Sequence, residues 1–189
     1  MRSIFLFTGA ILLAVPQVSA QNPGEPSAAL VSGPREGARA PDFSLMWATA
    51  DSLGPVEAPF RLSDNRGTVV VIAFLPRART PTTTRQLEML AGRDTMFTGQ
   101  VQLVGISPDA PAENQQYASS IGSPFRFLSD EDQRVARLYG SRAQENVNRR
   151  TVYVIGYTGY VVYRDLGFDP DQQSDWSHLA VAVETARRP

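Results

Sequence analysis

Two nearly continuous apolar runs stand out in the chain, Val69-Val70-Val71-Ile72-Ala73-Phe74 and Val101-Gln102-Leu103-Val104-Gly105-Ile106. Both are rich in β-branched residues, as strands covered on both faces at the centre of a sheet are. Between them Leu87, Leu90 and Ala91 recur at helical spacing in a segment that starts near Pro81. Strand, helix and strand within residues 69–106 make a βαβ unit, which implies parallel pairing and a right-handed crossover. A second helix is predicted over Pro111 to Ile121, stopped by Gly122. A third has Ser129 or Asp130 as cap, Glu131 and Asp132 at the positive end of its dipole, and Val135, Leu138 and Tyr139 as a buried stripe before Gly140. Val152-Tyr153-Val154-Ile155 and Tyr160-Val161-Val162-Tyr163 flank Gly156-Tyr157-Thr158-Gly159 and predict a β-hairpin. A last helix carries Trp176, Leu179, Ala180 and Val183 on one face. With a leading strand or hairpin, this order predicts an α/β fold, a three-layer α/β/α sandwich around a central mixed sheet.

The first 40 residues follow a different pattern. Met1-Arg2-Ser3 carries one positive charge, the mainly apolar run Ile4 to Val15 follows, and Val18-Ser19-Ala20 supplies small residues. That is the layout of a secretory signal peptide over residues 1–20, and the run is too short for a membrane helix. Export to the periplasm or the cell exterior is the expectation, with no membrane attachment after cleavage. From Gln21 to Ala40, twelve of twenty positions are Pro, Gly, Ala or Ser. Such a segment buries too little apolar surface to offset its ordering entropy, which predicts a flexible linker over 21–39 and a folded domain over 40–189.

Charge and composition then narrow the chemistry. Eighteen basic residues face nineteen acidic ones, so there is no basic excess for a nucleic-acid partner. All the basic residues are Arg, which removes Schiff-base chemistry and a P-loop lysine. There is no cysteine, so disulfides, zinc thiolates, iron–sulfur clusters and thiol nucleophiles are excluded together. No cofactor is implied.

Five stretches resemble the peroxiredoxin family, the alkyl hydroperoxide reductase and thiol-specific antioxidant group of the thioredoxin fold. Ala40-Pro41-Asp42-Phe43-Ser44-Leu45 is similar to the family's A-P-D-F-x-L. Leu62-Ser63-Asp64 through Arg66-Gly67 resembles L-x-D-x-x-G. Val104-Gly105-Ile106-Ser107-Pro108-Asp109 is similar to V-G-I-S-x-D. Residues 124–130 and 135–140 resemble P-F-x-L-L-S-D and V-A-x-x-Y-G, and Arg150-Thr151-Val152-Tyr153-Val154-Ile155-Gly156 is similar to R-x-T-F-V-I-D. The closest likeness is to the branch called bacterioferritin comigratory protein or peroxiredoxin Q. The resemblance implies a thioredoxin-like sandwich and an antioxidant, peroxide-reducing oxidoreductase whose cysteine closes the motif P-x-x-x-T-x-x-C. Here Pro76, Thr80, Pro81 and Thr84 match, and Thr83 stands in the place of that cysteine. A C-x-x-C pair of the thioredoxin type would fall on Thr80 and Thr83, again both threonine. The stretch Asn148-Arg149-Arg150 lacks the proline that thioredoxins carry there.

The family's chemistry needs a thiolate that attacks the O–O bond and becomes a sulfenic acid. An alcohol is about as weak an acid as water, near 15.7. Ionising it near neutrality means lowering its pKa by roughly 8 to 9, on the order of 12 kcal/mol, whereas documented extremes are about 3 to 5. Even ionised, an oxygen has no counterpart of the sulfenic state. Peroxide reduction by the family's route is therefore closed to this sequence. Two readings of the degenerate site at Pro76, Thr80, Thr83 and Arg150 stay open. In one, the threonines cap a helix with Pro81 at its first position. In the other, open amides, hydroxyls and Arg150 face a small anionic or polar ligand. A binding or interaction module and an enzyme using the pocket by non-thiol chemistry both fit, as does pairing with a second copy or a thiol-bearing homologue. Elsewhere, His178 is the lone histidine, Asp169, Asp171 and Asp175 lack the Gly and Glu of a calcium loop, and no metal site is expected. Met89 reads as packing, and Arg77 and Arg79 as a solvated loop face.

Overall fold

The structure, a computed structural model, describes residues 32–77 and 79–188. The signal peptide over 1–20 and the linker residues 21–31 lie outside the described residues. A seven-stranded mixed sheet forms the centre, from β1 (Ser44–Ala48), β2 (Phe60–Arg61), β3 (Val69–Phe74), β4 (Val101–Ser107), β5 (Arg126–Ser129), β8 (Thr151–Ile155) and β9 (Val161–Asp165), in the order β2-β1-β5-β4-β3-β8-β9. Strands β3, β4 and β5 run parallel, and the remaining pairings are antiparallel. A separate short ribbon pairs β6 (Arg142–Gln144) with β7 (Val147–Asn148). The helices are α1 (Pro81–Ala91), α2 (Pro111–Ser120), α3 (Arg134–Leu138) and α4 (Gln173–Ala186).

All six residues of β3 are buried, because alternate side chains enter cores on opposite faces of the sheet. Val69, Val71 and Ala73 join Leu87 and Leu90 of α1, Tyr117 of α2 and Trp176, Leu179 and Val183 of α4. Val70, Ile72 and Phe74 join Val135 and Ala136 of α3, Tyr139, Tyr153 and residues of β1 and β2. The predicted sandwich is thus a helix layer, a sheet, and a thinner layer made of α3 and the leading segment.

Local differences from the predicted elements have physical causes. The third helix begins only at Arg134, because Gln133 takes a left-handed conformation at φ 51°. Asp130 still caps it at a distance, its buried carboxylate accepting from the Val135 and Ala136 amides at 3.1 and 2.7 Å. In α4 the buried position is Ala182, and Ala180 lies at the margin. The strand β5 and the ribbon β6–β7 are too short for any periodicity to reveal.

Nor does the linker extend to residue 39. From Ser32 onward the chain lies as a strap along β9. The Gly37 amide donates to the Val161 carbonyl (2.8 Å), the Val161 amide to the Ala38 carbonyl (2.9 Å), and the Arg164 guanidinium to the Ser32 carbonyl (2.9 Å). Backbone hydrogen bonds and Arg164, rather than apolar side chains, fix this segment, so composition could not reveal it. Gly140, at φ 67°, lies so close that a Cβ there would be 2.6 Å from the Ser32 carbonyl carbon. Gly140→Ala should accordingly lower stability by at least about 1–2 kcal/mol, seen as a lower urea midpoint.

The strap also closes over buried phenols. The Tyr139 hydroxyl donates to the Pro41 carbonyl (2.7 Å) and the Tyr153 hydroxyl to the Tyr139 carbonyl (2.8 Å). Burial pushes the Tyr153 phenol up to about 12, against the opposing pull of Arg164, and raises Tyr139 and Tyr163 as well. Below the ordinary phenol value of 10 both states hold their protons and the contribution is complete. Above it the unfolded chain ionises first, so thermal midpoints should fall as pH rises from about 10 towards 12.

Candidate functional site

The site lies where β3 ends. Its ladder with β4 is continued by the Leu75 amide, which donates to the Ile106 carbonyl (2.8 Å), and the Asn148 amide then donates to the Pro76 carbonyl (3.2 Å). The chain leaves the sheet through residues 76–80 and enters α1. Arg79 in this loop holds a left-handed φ of 60° and donates to the Gln116 side chain of α2 at 2.6 Å. Arg77 is exposed.

Thr80 is the N-cap of α1, in extended conformation, with Pro81 as the first helical residue. The Thr80 hydroxyl accepts from the Thr83 amide (3.2 Å) and donates to the Thr83 hydroxyl (2.8 Å). The Thr84 amide donates to the Thr80 carbonyl (2.9 Å), and so does its hydroxyl (3.1 Å). With that proton used, the Tyr117 hydroxyl donates to Thr84 across 2.8 Å. Burial raises the Tyr117 phenol above its ordinary value. At the start of α1 Pro81 has no N–H, and the amides of Thr83 and Thr84 are taken within the cap. The capping role of the threonines holds in full.

Thr83 is completely buried, and so is Gln86 one turn later, a residue that sequence reasoning passed over. Neither amide atom of Gln86 has a hydrogen-bond partner. Residues 83, 86, 87 and 90 form one inward stripe of α1, so a polar residue at a core position was visible in the periodicity. On the sheet, the β3–β8 register pairs Ala73 with Val152 and Phe74 with Thr151. Arg150 immediately precedes β8, whose Thr151 pairs with Phe74. The Arg150 Nε is buried without a partner. Pro76, Thr80, Thr83 and Arg150 are thus all carried to the end of β3.

The remaining candidates lie elsewhere. Asp169 and Asp175 accept backbone amides of their own loop (3.0 and 2.8 Å), and Asp171 pairs with Arg85 at 2.8 Å. His178 is exposed on α4 and Met89 packs at the edge of the core. Among the described residues no group of three or more His, Asp or Glu is arranged to hold a metal ion. No described helix is long and apolar enough to cross a membrane.

Comparison with known proteins places this geometry. The model of the AhpC/TSA family matches residues 37–164. Peroxiredoxin 2 of Caldanaerobacter subterraneus is 34% identical over 132 residues, which are 65% of this chain and 56% of that protein. The chloroplastic peroxiredoxin Q of Sedum lineare is 32% identical over 124 residues, 62% of this chain and 65% of that one. Among solved structures, Peroxidoxin BcpB from Mycobacterium tuberculosis superposes with a TM-score of 0.67 at 23% identity, covering 80% of this chain and 97% of that one. With a matching family model over more than half its length and the sheet order described above, the chain belongs to the AhpC/TSA family and has a peroxiredoxin-like thioredoxin fold.

Proposed function

We propose that this chain is an exported member of the AhpC/TSA family that does not reduce peroxides and instead binds a small polar or anionic ligand at the end of β3. One observation carries the reading: the family's nucleophile position is occupied by Thr83 in a chain without cysteine. The hydroxyl of Thr83 is tied to the Thr80 cap and sealed in the core, which suits a structural part for it. The buried, unpaired Gln86 amide and Arg150 Nε support a binding role for the surroundings, since burying such groups without partners costs about 1–3 kcal/mol each. The basic, apolar and small-residue sequence of residues 1–20 supports export.

Purified protein, free of catalase, should show no reductant-dependent peroxide consumption above buffer; sustained turnover overturns the reading. Thr83→Cys tests whether the surroundings are intact. Its single thiol should be titratable before, and lost after, exposure to hydrogen peroxide, and a thiol that survives would show that the site no longer supports the family's chemistry. Amino-terminal sequencing of secreted material should begin at Gln21.

A further inference from the structure

A cleft of about 400 Å³ lies between α4 and the segment that follows α1. Arg93, at its edge, lies about 15 Å along α1 from Thr83, so the cleft is separate from the corner at the end of β3. At one end Arg93 crosses to α4, and its guanidinium lies 4.0 Å from the centre of the Trp176 ring. Both partners are fixed in place. The Arg93 Nη1 donates to the Met89 carbonyl (2.9 Å), and the Trp176 Nε1 donates to the Pro170 carbonyl (2.8 Å). The buried indole also meets Phe168 edge to face at 4.9 Å. Stacking occupies the face of a guanidinium and leaves its in-plane N–H groups to other acceptors. Arg93 has no ion-pair partner among the described residues. At the other end, about 16 Å along α4, Arg187 donates to the Met96 carbonyl (3.0 Å) and faces Glu184 at 3.6 Å. Among the described lining residues two arginines thus stand against one carboxylate, which leaves a single positive charge unanswered at the Arg93 end. Between the two ends Met96, Ala180 and Val183 supply an apolar wall. An inorganic anion would leave that wall uncovered, and an uncharged apolar molecule would leave Arg93 without a counter-charge. The geometry points to this cleft as a binding site for a small organic monocarboxylate, whose oxygens accept from the Arg93 guanidinium while its apolar body lies against Met96, Ala180 and Val183.

The test is calorimetric titration of the purified protein with hexanoate and benzoate, set against hexanamide, which lacks the charge, and acetate, which lacks the apolar body. Hexanoate or benzoate should bind saturably with a Kd of about 1 mM or below, and hexanamide and acetate about tenfold or more weakly. Arg93→Gln, which keeps part of the side-chain stem, should weaken hexanoate binding by about tenfold or more. Ala180→Phe, which fills the cleft and leaves both arginines in place, should abolish it. If Arg93→Gln does not fold, Ala180→Phe and the comparison of hexanoate with hexanamide carry the test. Equal binding of hexanoate and hexanamide, undiminished binding by Ala180→Phe, or no saturable binding of either carboxylate overturns the inference. Each of these results leaves the reading of the β3 corner untouched, because none of the probes or variants alters a residue there.

Discussion

The architecture depends on the double pairing of β3. It is hydrogen-bonded on one side to parallel β4 and on the other to antiparallel β8, and its side chains fill cores on both faces. A strand so enclosed can leave the sheet only where its pairing runs out, which is just beyond Leu75. Pro76 has no amide to donate, so the ladder cannot continue past it. The exit point of the chain, the start of α1 and the first residues of β8 consequently occupy one small volume. Position 83 is special because the sheet delivers the helix start there, whatever residue occupies it.

That separation of scaffold from chemistry explains how threonine is accommodated. Its hydroxyl accepts a hydrogen bond from Thr80, and its methyl adds apolar volume to the core. Threonine therefore keeps the helix start intact. The electron-donating role of sulfur is a property of the atom, and no amount of packing or hydrogen bonding transfers it to oxygen. Fold and reactivity part company at a single side chain.

Much of this was legible in the sequence because the relevant signals are local. The all-apolar β3, the Pro81 helix start and the hairpin at 156–159 each follow from neighbouring residues, and they set the core. Thr80, Thr83 and Arg150 were legible through motif spacing. What escaped was non-local. Gln86 is the exception, because its inward position could be read from the stripe it shares with 83, 87 and 90. Tyr117 meets Thr84 across 33 positions of sequence, a contact that no periodicity encodes. The strap from Ser32 is held by backbone bonds and by Arg164, and backbone bonding leaves no mark on composition. The left-handed turn at Gln133, which delays α3, is likewise accompanied by long-range bonds of its side chain, whose Nε2 donates to Asn148 Oδ1 and whose Oε1 accepts from the Asn146 amide.

The strap has a consequence for the order in which the molecule assembles. Ser32 is gripped by a guanidinium 132 residues further along the chain. A ribosome emitting the protein from its amino end, or a channel threading it in the same direction, releases the strap long before β9 exists to receive it. Closing so long a loop comes late and slowly. The earliest-emerging segment of the domain is therefore the last to find its place. Until then, the Tyr139–Gly140 corner that Ser32 and Gly33 will cover stands open to solvent.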